Sequence, residues 1–494
     1  MSINKQNRLI FICLFILSFI IIFGSTYNPM NFRRMHVDSS VYVTIAQGIT
    51  RGQLPYKDFV DNKGPLLYLI NAAGLRIGGF TGIWIVELLF MCVSVFFAYK
   101  IALFFGDRFK AMLGTVFCFV VYYAFFTNQA GTEEFSMPFM MISLYIFTKY
   151  FLSPMQEVNF GELIVLGGCF TCAVMFRLNM FPLWAGFCIV IFIKSIIERH
   201  FTHLLKYIFG FCLGIAVIAV PTFFYLKLNG IMDAFVEQVI FGSITRGFGE
   251  GGLKATAQNF YAVINRNLSV IPLAVGLFWM IKNSGKTANF ENGSFIFYFS
   301  YTFSCFLMIL FLSFSRGESH YNMVIVPFFV PALTFLVGVV HSTLADKKLK
   351  ILSTVILFCF VFSEGIANYI YDMSKIIHDN SGAELINAGK IIDENTKSGD
   401  KIISLGYNAY IYPFTKRDAA SKYFFQGPAF DHIPGSREEF LSDILTGKPS
   451  IIALFREKDQ IIDDWHKPVF DMIETDYCLL SDENGFNLYI RRDQ

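Results

Sequence analysis

Apolar runs long enough to cross a bilayer recur along most of this 494-residue chain, and they constrain its fold more than any motif does. Eleven lie near residues 9–25, 83–105, 111–126, 137–152, 162–177, 180–197, 207–226, 268–282, 294–313, 321–343 and 349–366. Composition agrees. The chain is 54% hydrophobic with 59 phenylalanines and a mean hydropathy of +0.51. Charged residues make up 16%, against roughly 25% for an ordinary soluble domain. These features predict a polytopic α-helical membrane protein. A formal net charge of +2 gives no reason to expect a nucleic-acid partner.

Loop charge sets the expected orientation. With the N-terminus in the cytoplasm, the short inside connections become Asp107–Lys110, Lys149–Gly161, Lys194–Lys206, Lys282–Gly293 and Asp346–Lys350. They carry Lys and Arg with few compensating acids, and Lys5 and Arg8 precede the first span. An odd number of spans then places the C-terminus outside. The first apolar segment lacks a small-residue cleavage pattern after it and is read as an anchor. The apolar stretch 65–80 is interrupted by Gly74, Arg76, Gly78 and Gly79 and is expected to be interfacial or re-entrant.

The chain divides into a membrane part, residues 1–366, and a small α/β domain, residues 367–494. In the latter, Ser381–Glu384 and Ser436–Glu439 have capping-box spacing ahead of helical runs. Lys401–Leu405, Ser450–Phe455 and Phe486–Ile490 are strand candidates. No nucleophile elbow, phosphate loop or metal cluster occurs there, so acceptor binding or a lid over the membrane site is its expected role. Of ten cysteines only Cys478 falls in this domain, and the Cys169-x-x-Cys172 pair is expected to be helix packing.

The densest chemistry follows the first span, in His36–Leu66, HVDSSVYVTIAQGITRGQLPYKDFVDNKGPL. Val41, Ile45 and Ile49 recur at helical spacing, Asp38 is a fitting N-cap, Arg51 occupies the last turn and Gly52 follows as the C′ residue. This helix is expected at the interface, its apolar face toward lipid or neighbouring helices and Asp38 at its mouth. Asp58 and Asp61 stand i, i+3 apart and are suited to acceptor hydroxyls, to orienting Lys63 or to a divalent cation; a solvated turn is the plainer alternative.

Other candidates lie further on. Arg177 sits between two apolar runs, where an unpaired charge costs about 2.5–3.5 kcal/mol on insertion scales. Such a residue pairs, lines a wet path or snorkels, and a lipid-linked phosphate would be a natural partner. Arg246, in the Gly-rich loop Phe241–Gly252, is a second phosphate candidate. Glu133 and Glu134 are placed in a short outside turn, one reaching the site and the other solvated. His320 and Tyr321 fit either a cavity rim or the aromatic belt.

The run Tyr56-Lys-Asp58-Phe-Val-Asp61-Asn-Lys63-Gly-Pro65-Leu66, following Asp38 and a helix ending in Gly, resembles the membrane glycosyltransferases of the GT-C fold. Within them it is most similar to bacterial members of the protein O-mannosyltransferase and lipid A aminoarabinose transferase group. Thr132-Glu133-Glu134, Arg177, His320-Tyr321 and the C-terminal domain extend the resemblance. Ser39 departs from it, standing where many members carry a second acid, which bears on any metal role there. The resemblance implies transfer of a sugar from a polyprenyl-phosphate carrier to a lipid, polysaccharide or protein acceptor on the outer face. It implies inversion, with Asp38 as base. Such a reaction requires a base for the acceptor hydroxyl and positive charge for the departing phosphate. The alternatives are a lipid-carrier flippase or other transporter, although no paired halves are evident, and a polymerase or ligase of another family.

Overall fold

A computed structural model of the protein describes residues 3–30, 35–126, 130–153, 157–243, 252–265, 270–284, 293–314, 319–343, 346–379, 381–427, 430, 433–455, 464–483 and 485–493. It is a helical multi-pass membrane protein with a small C-terminal sheet. Each of the eleven apolar segments falls largely on a helix over its described residues. Among the described residues, seven helices are long and apolar enough to cross a membrane, and three shorter apolar ones accompany them. A helix satisfies its own backbone groups, which hydrocarbon requires. Helix α8 (Phe201–Leu228) illustrates the outward face, exposing Phe209, Val217, Phe223, Phe224 and Leu228.

The elements around the first loop matter most. Helix α1 (Ile3–Phe23) leads to the short α2 (Val37–Thr50). Gly64 and Pro65 then start α3 (Pro65–Ala102), Pro occupying the first turn where its missing N–H costs nothing. A straight helix of 38 residues would run about 57 Å, far beyond a bilayer core of about 30 Å. The stretch is instead broken at Gly78 and at Gly79 (φ 61°, ψ −140°), a backbone state that a side chain would strain. The arm before the break covers most of the stretch 65–80, which the sequence reading expects to be interfacial or re-entrant.

Helices α4 (Arg108–Phe125), α5 (Thr132–Leu152), α6 (Phe160–Phe176) and α7 (Pro182–Ile197) complete the first half of the bundle. Asn159 and Glu162 close a capping box on α6, and Lys149 at the end of α5 pairs with Glu162 at 2.5 Å.

The C-terminal unit is α/β. Strands β1 (Lys401–Leu405), β2 (Asp418–Ala419), β3 (Ile451–Phe455), β4 (Tyr477–Ser481) and β5 (Phe486–Arg491) form one sheet in the order β2-β1-β3-β5-β4. β1 runs parallel to β2 and β3, while β5 is antiparallel to β3 and β4. The three expected strands are present; β2 and β4 were not expected. One sheet face carries Ile403, Leu405 and Ile452 into a core with Phe440, Ile444 and Val469. The other carries Ile402, Ile451 and Ala453 into a core continuous with the membrane bundle. The helix Lys347–His378 runs across the expected boundary at 366/367.

The expected capping box at Ser436 is not formed. Gly435 (φ 77°) is the cap, and the Ser436 hydroxyl donates to the Phe430 carbonyl at 2.8 Å. Glu439, instead of reaching back, accepts from the Tyr423 hydroxyl and pairs with Lys422.

Candidate functional site at the start of the second helix

Helix α2 begins two residues earlier than its sequence implies. His36, not Asp38, is the N-cap: its backbone is extended and its Nδ1 accepts the Asp38 N–H at 3.3 Å. Asp38 lies in the first turn, where the helix dipole favours a carboxylate. It is half-buried, and among the described residues no hydrogen bond occupies its carboxylate. The rest of α2 is not turned to lipid. Val41, Tyr42, Val43, Ile45 and Ala46 are buried, and the helix packs on α3 and on residues Tyr412–Phe414 of the C-terminal unit.

Tyr42, one turn beyond Asp38, is the residue that sequence reasoning missed at this corner. Burial pushes its phenol well above the ordinary tyrosine range, and the charges of Asp38, Asp61 and Glu133 push the same way. It is therefore a neutral hydroxyl amid three carboxylates. The signal was available, since i and i+4 share a helix face.

The two acids of the first loop serve different partners. Asp58 closes a turn: its carboxylate accepts the Leu54 N–H at 2.7 Å, and its own N–H reaches the Leu54 carbonyl at 3.0 Å. Asp61 is buried and accepts the Tyr68 hydroxyl at 2.6 Å. Among the described residues no three His, Cys, Asp or Glu side chains form a group fit to hold a metal ion. Lys63 points its ammonium at the Asn62 side chain (2.9 Å) and over the Tyr42 ring (5.7 Å). Among the described residues it has no carboxylate partner. The loop is pressed on the end of α6, because a Cβ at Gly64 would sit 1.6 Å from the Met175 carbonyl oxygen.

That contact brings Arg177 close. Arg177 caps α6 and ion-pairs with Glu133 in the first turn of α5. Glu133 also accepts the Thr132 hydroxyl at 2.6 Å. Tyr321 lies under the guanidinium, 3.6 Å from ring centroid to Cζ. The buried His320 is within electrostatic reach of Glu133, Asp38 and Arg177, and its ring is 6.3 Å from that of His36. His320 and Tyr321 therefore lie together with Glu133 and Arg177 near Asp38.

Glu134 diverges from its neighbour. It is not in a solvated turn but buried in α5, within electrostatic reach of Glu87, whose carboxylate accepts the Ser25 hydroxyl at 2.7 Å. A helix turns about 100° per residue, so adjacent acids face different neighbours. Arg246 falls outside the described residues.

Comparison with known proteins sets this geometry in a family. No curated protein sequence matches the chain. The apo ArnT of Cupriavidus metallidurans superposes with a TM-score of 0.64 at 10% identity, covering 99% of this chain and 98% of that one. The same protein bound to undecaprenyl phosphate gives 0.61 at 11% identity, with the same coverage. AglB, an oligosaccharyltransferase of Archaeoglobus fulgidus in complex with an inhibitory peptide and a dolichol-phosphate, gives 0.52 at 11% identity, covering 100% of this chain and 75% of that one. At such identities the likeness concerns the fold, which is GT-C. The sequence profile described as "Putative competence-induced protein Ccs4 N-terminal domain" matches residues 2–365, so the chain belongs to that family and builds it on a GT-C fold.

Proposed function

We propose that this protein is a glycosyltransferase that moves a sugar from a polyprenyl-phosphate donor to an acceptor hydroxyl on the outer face of the membrane. One observation carries the reading. Asp38 stands at the start of α2 with a carboxylate free of described partners, while two cations, Lys63 and Arg177, lie on the elements around it. The acceptor oxygen attacks the anomeric carbon as the bond from that carbon to the phosphate oxygen breaks. Asp38 takes the hydroxyl proton, and the polyprenyl phosphate leaves with the bonding pair, inverting the centre.

The cations divide the work. Arg177 already neutralises Glu133, so its guanidinium is oriented by that carboxylate and by Tyr321. Lys63 has no such counter-charge among the described residues and is the better anchor for a phosphate. Asp61, Tyr42, His320 and Tyr321 are proposed to line the sugar and acceptor side. Asp58 supports the loop through its turn, and Glu134 supports α5 from behind.

The test is transfer by purified protein from labelled polyprenyl-phosphate hexoses and pentoses to a lipid, polysaccharide or protein acceptor. A covalent product lost in Asp38→Asn supports the reading. Movement of the carrier across vesicles without a covalent product would overturn it in favour of a flippase. Orientation has its own test. Cys478 is exposed, so with the C-terminal unit outside, an impermeant thiol reagent should label it in intact cells. Labelling confined to inverted vesicles would place the unit in the cytoplasm.

A further inference from the structure

Tyr56 has a left-handed backbone, φ 67°, although it is neither Gly nor Asn. For a bulky residue this is a rare, strained state, and it persists only where its surroundings over-determine it. Four contacts do so here. The buried ring packs edge-on against Phe235 (5.5 Å) and Tyr68 (6.2 Å). The hydroxyl donates to the Lys63 carbonyl at 2.7 Å. The carbonyl accepts Nε2 of Gln238 at 2.8 Å.

Gln238 does more than hold Tyr56. Its Oε1 accepts the Asp61 N–H at 3.2 Å, so one amide clamps both limbs of the loop that ends in Lys63. It comes from the π-helical segment Val236–Phe241, which continues the short helix Met232–Phe235. Such segments are uncommon and often mark functional places, because the extra residue per turn re-aims side chains.

We propose that Gln238 is a positioning residue for the donor, setting Lys63 through the strained Tyr56. Gln238 and Tyr56 touch no reacting atom; the chain of contact runs from the amide to the Tyr56 carbonyl, through its side chain, to the Lys63 backbone. The inference rests on Lys63 being the phosphate anchor.

Steady-state kinetics on purified full-length protein test it, with polyprenyl-phosphate sugar as the varied substrate. Gln238→Met removes both hydrogen bonds at nearly constant length and should raise donor KM about fivefold to twentyfold. Tyr56→Phe keeps the ring and loses the bond to Lys63; it should raise donor KM about threefold to tenfold. Acceptor KM should change less than twofold in Tyr56→Phe, which leaves the Gln238–Asp61 bond in place. Because both act through one chain, the double variant should be no more than about twofold worse than the poorer single one. Normal donor KM in the folded Tyr56→Phe protein, or effects of the two variants that multiply, would overturn the positioning role. Lys63→Met separates this failure from that of the underlying function. If it leaves donor KM unchanged, Lys63 is not the phosphate anchor; if it raises donor KM while Gln238→Met and Tyr56→Phe do not, only the positioning chain falls.

Discussion

The two ends of α2 are built from different material. Its first turn is capped by one imidazole and carries Asp38, half-buried and without a described hydrogen bond. Its last turn is fastened to the C-terminal unit. Gln47 donates to the Pro413 carbonyl at 2.9 Å, and Arg51 bridges Asp418 at 3.0 Å and the Thr415 carbonyl at 3.2 Å. Gly52, at φ 94°, then turns the chain into the loop, where Phe59 packs on Phe424 and Val60 donates to the Lys422 carbonyl. Val60 joins the core of the α/β unit itself. In the proposed reaction Asp38 must stay unsatisfied to accept a proton, so its own surroundings cannot hold it tightly. The rigidity it needs is supplied at the opposite end of the 14-residue helix, by Gln47 and Arg51.

Substitutions at the two ends should therefore fail differently. The largest effect is expected at Asp38. Because the cap is His36, Asp38→Asn leaves the helix start intact, and transfer should fall by roughly 10²-fold or more, with unchanged melting of the detergent-purified protein. Near-normal turnover would dissolve the contrast and move the base elsewhere.

Next comes Arg177. Arg177→Ala strands a buried Glu133, so about 3–5 kcal/mol of stability should be lost along with donor affinity. Adding Glu133→Gln should restore the stability but not the donor KM. Arg177→Lys should impair donor use in part, since an ammonium cannot match the planar fork that Glu133 and Tyr321 orient. If the double variant regains both properties, the pair is structural alone.

His36 is expected to have a smaller effect. His36→Ala removes the cap and should cost about 1 kcal/mol, whereas His36→Asn, a good cap, should retain stability. Equal melting of the two proteins would show that the imidazole is not acting as a cap.

The smallest effect belongs to the fastened end. The Arg51–Asp418 bridge is well exposed on both sides, so Arg51→Ala should cost less than about 1 kcal/mol and alter turnover less than threefold. A larger loss, rescued by the swap Arg51→Asp with Asp418→Arg, would mean that this bridge carries more of the docking than the aromatic and backbone contacts beside it.

Much of the fold was legible in the sequence because its signals are local. Eleven apolar runs, the i, i+4, i+8 pattern of Val41, Ile45 and Ile49, and three alternating strands all declare themselves within a few residues. The cap was misjudged because an imidazole two residues back can do what an aspartate does. β2 escaped notice at two residues, and β4 because its exposed Cys478 and Leu479 break the alternation.

Hydropathy and helical period, read along the chain, determined that this is a multi-pass helical protein with three aspartates in its first loop and an α/β C-terminal unit. What that loop meets was decided only by the tertiary structure. Arg177 and Glu133 are 44 residues apart, Gln238 and Asp61 are 177 apart, and Arg51 reaches across 367 to Asp418. No periodicity spans such distances. A pairing of this kind is selected by packing, which determines which buried charges can neutralise each other and which backbone groups remain in need of a partner.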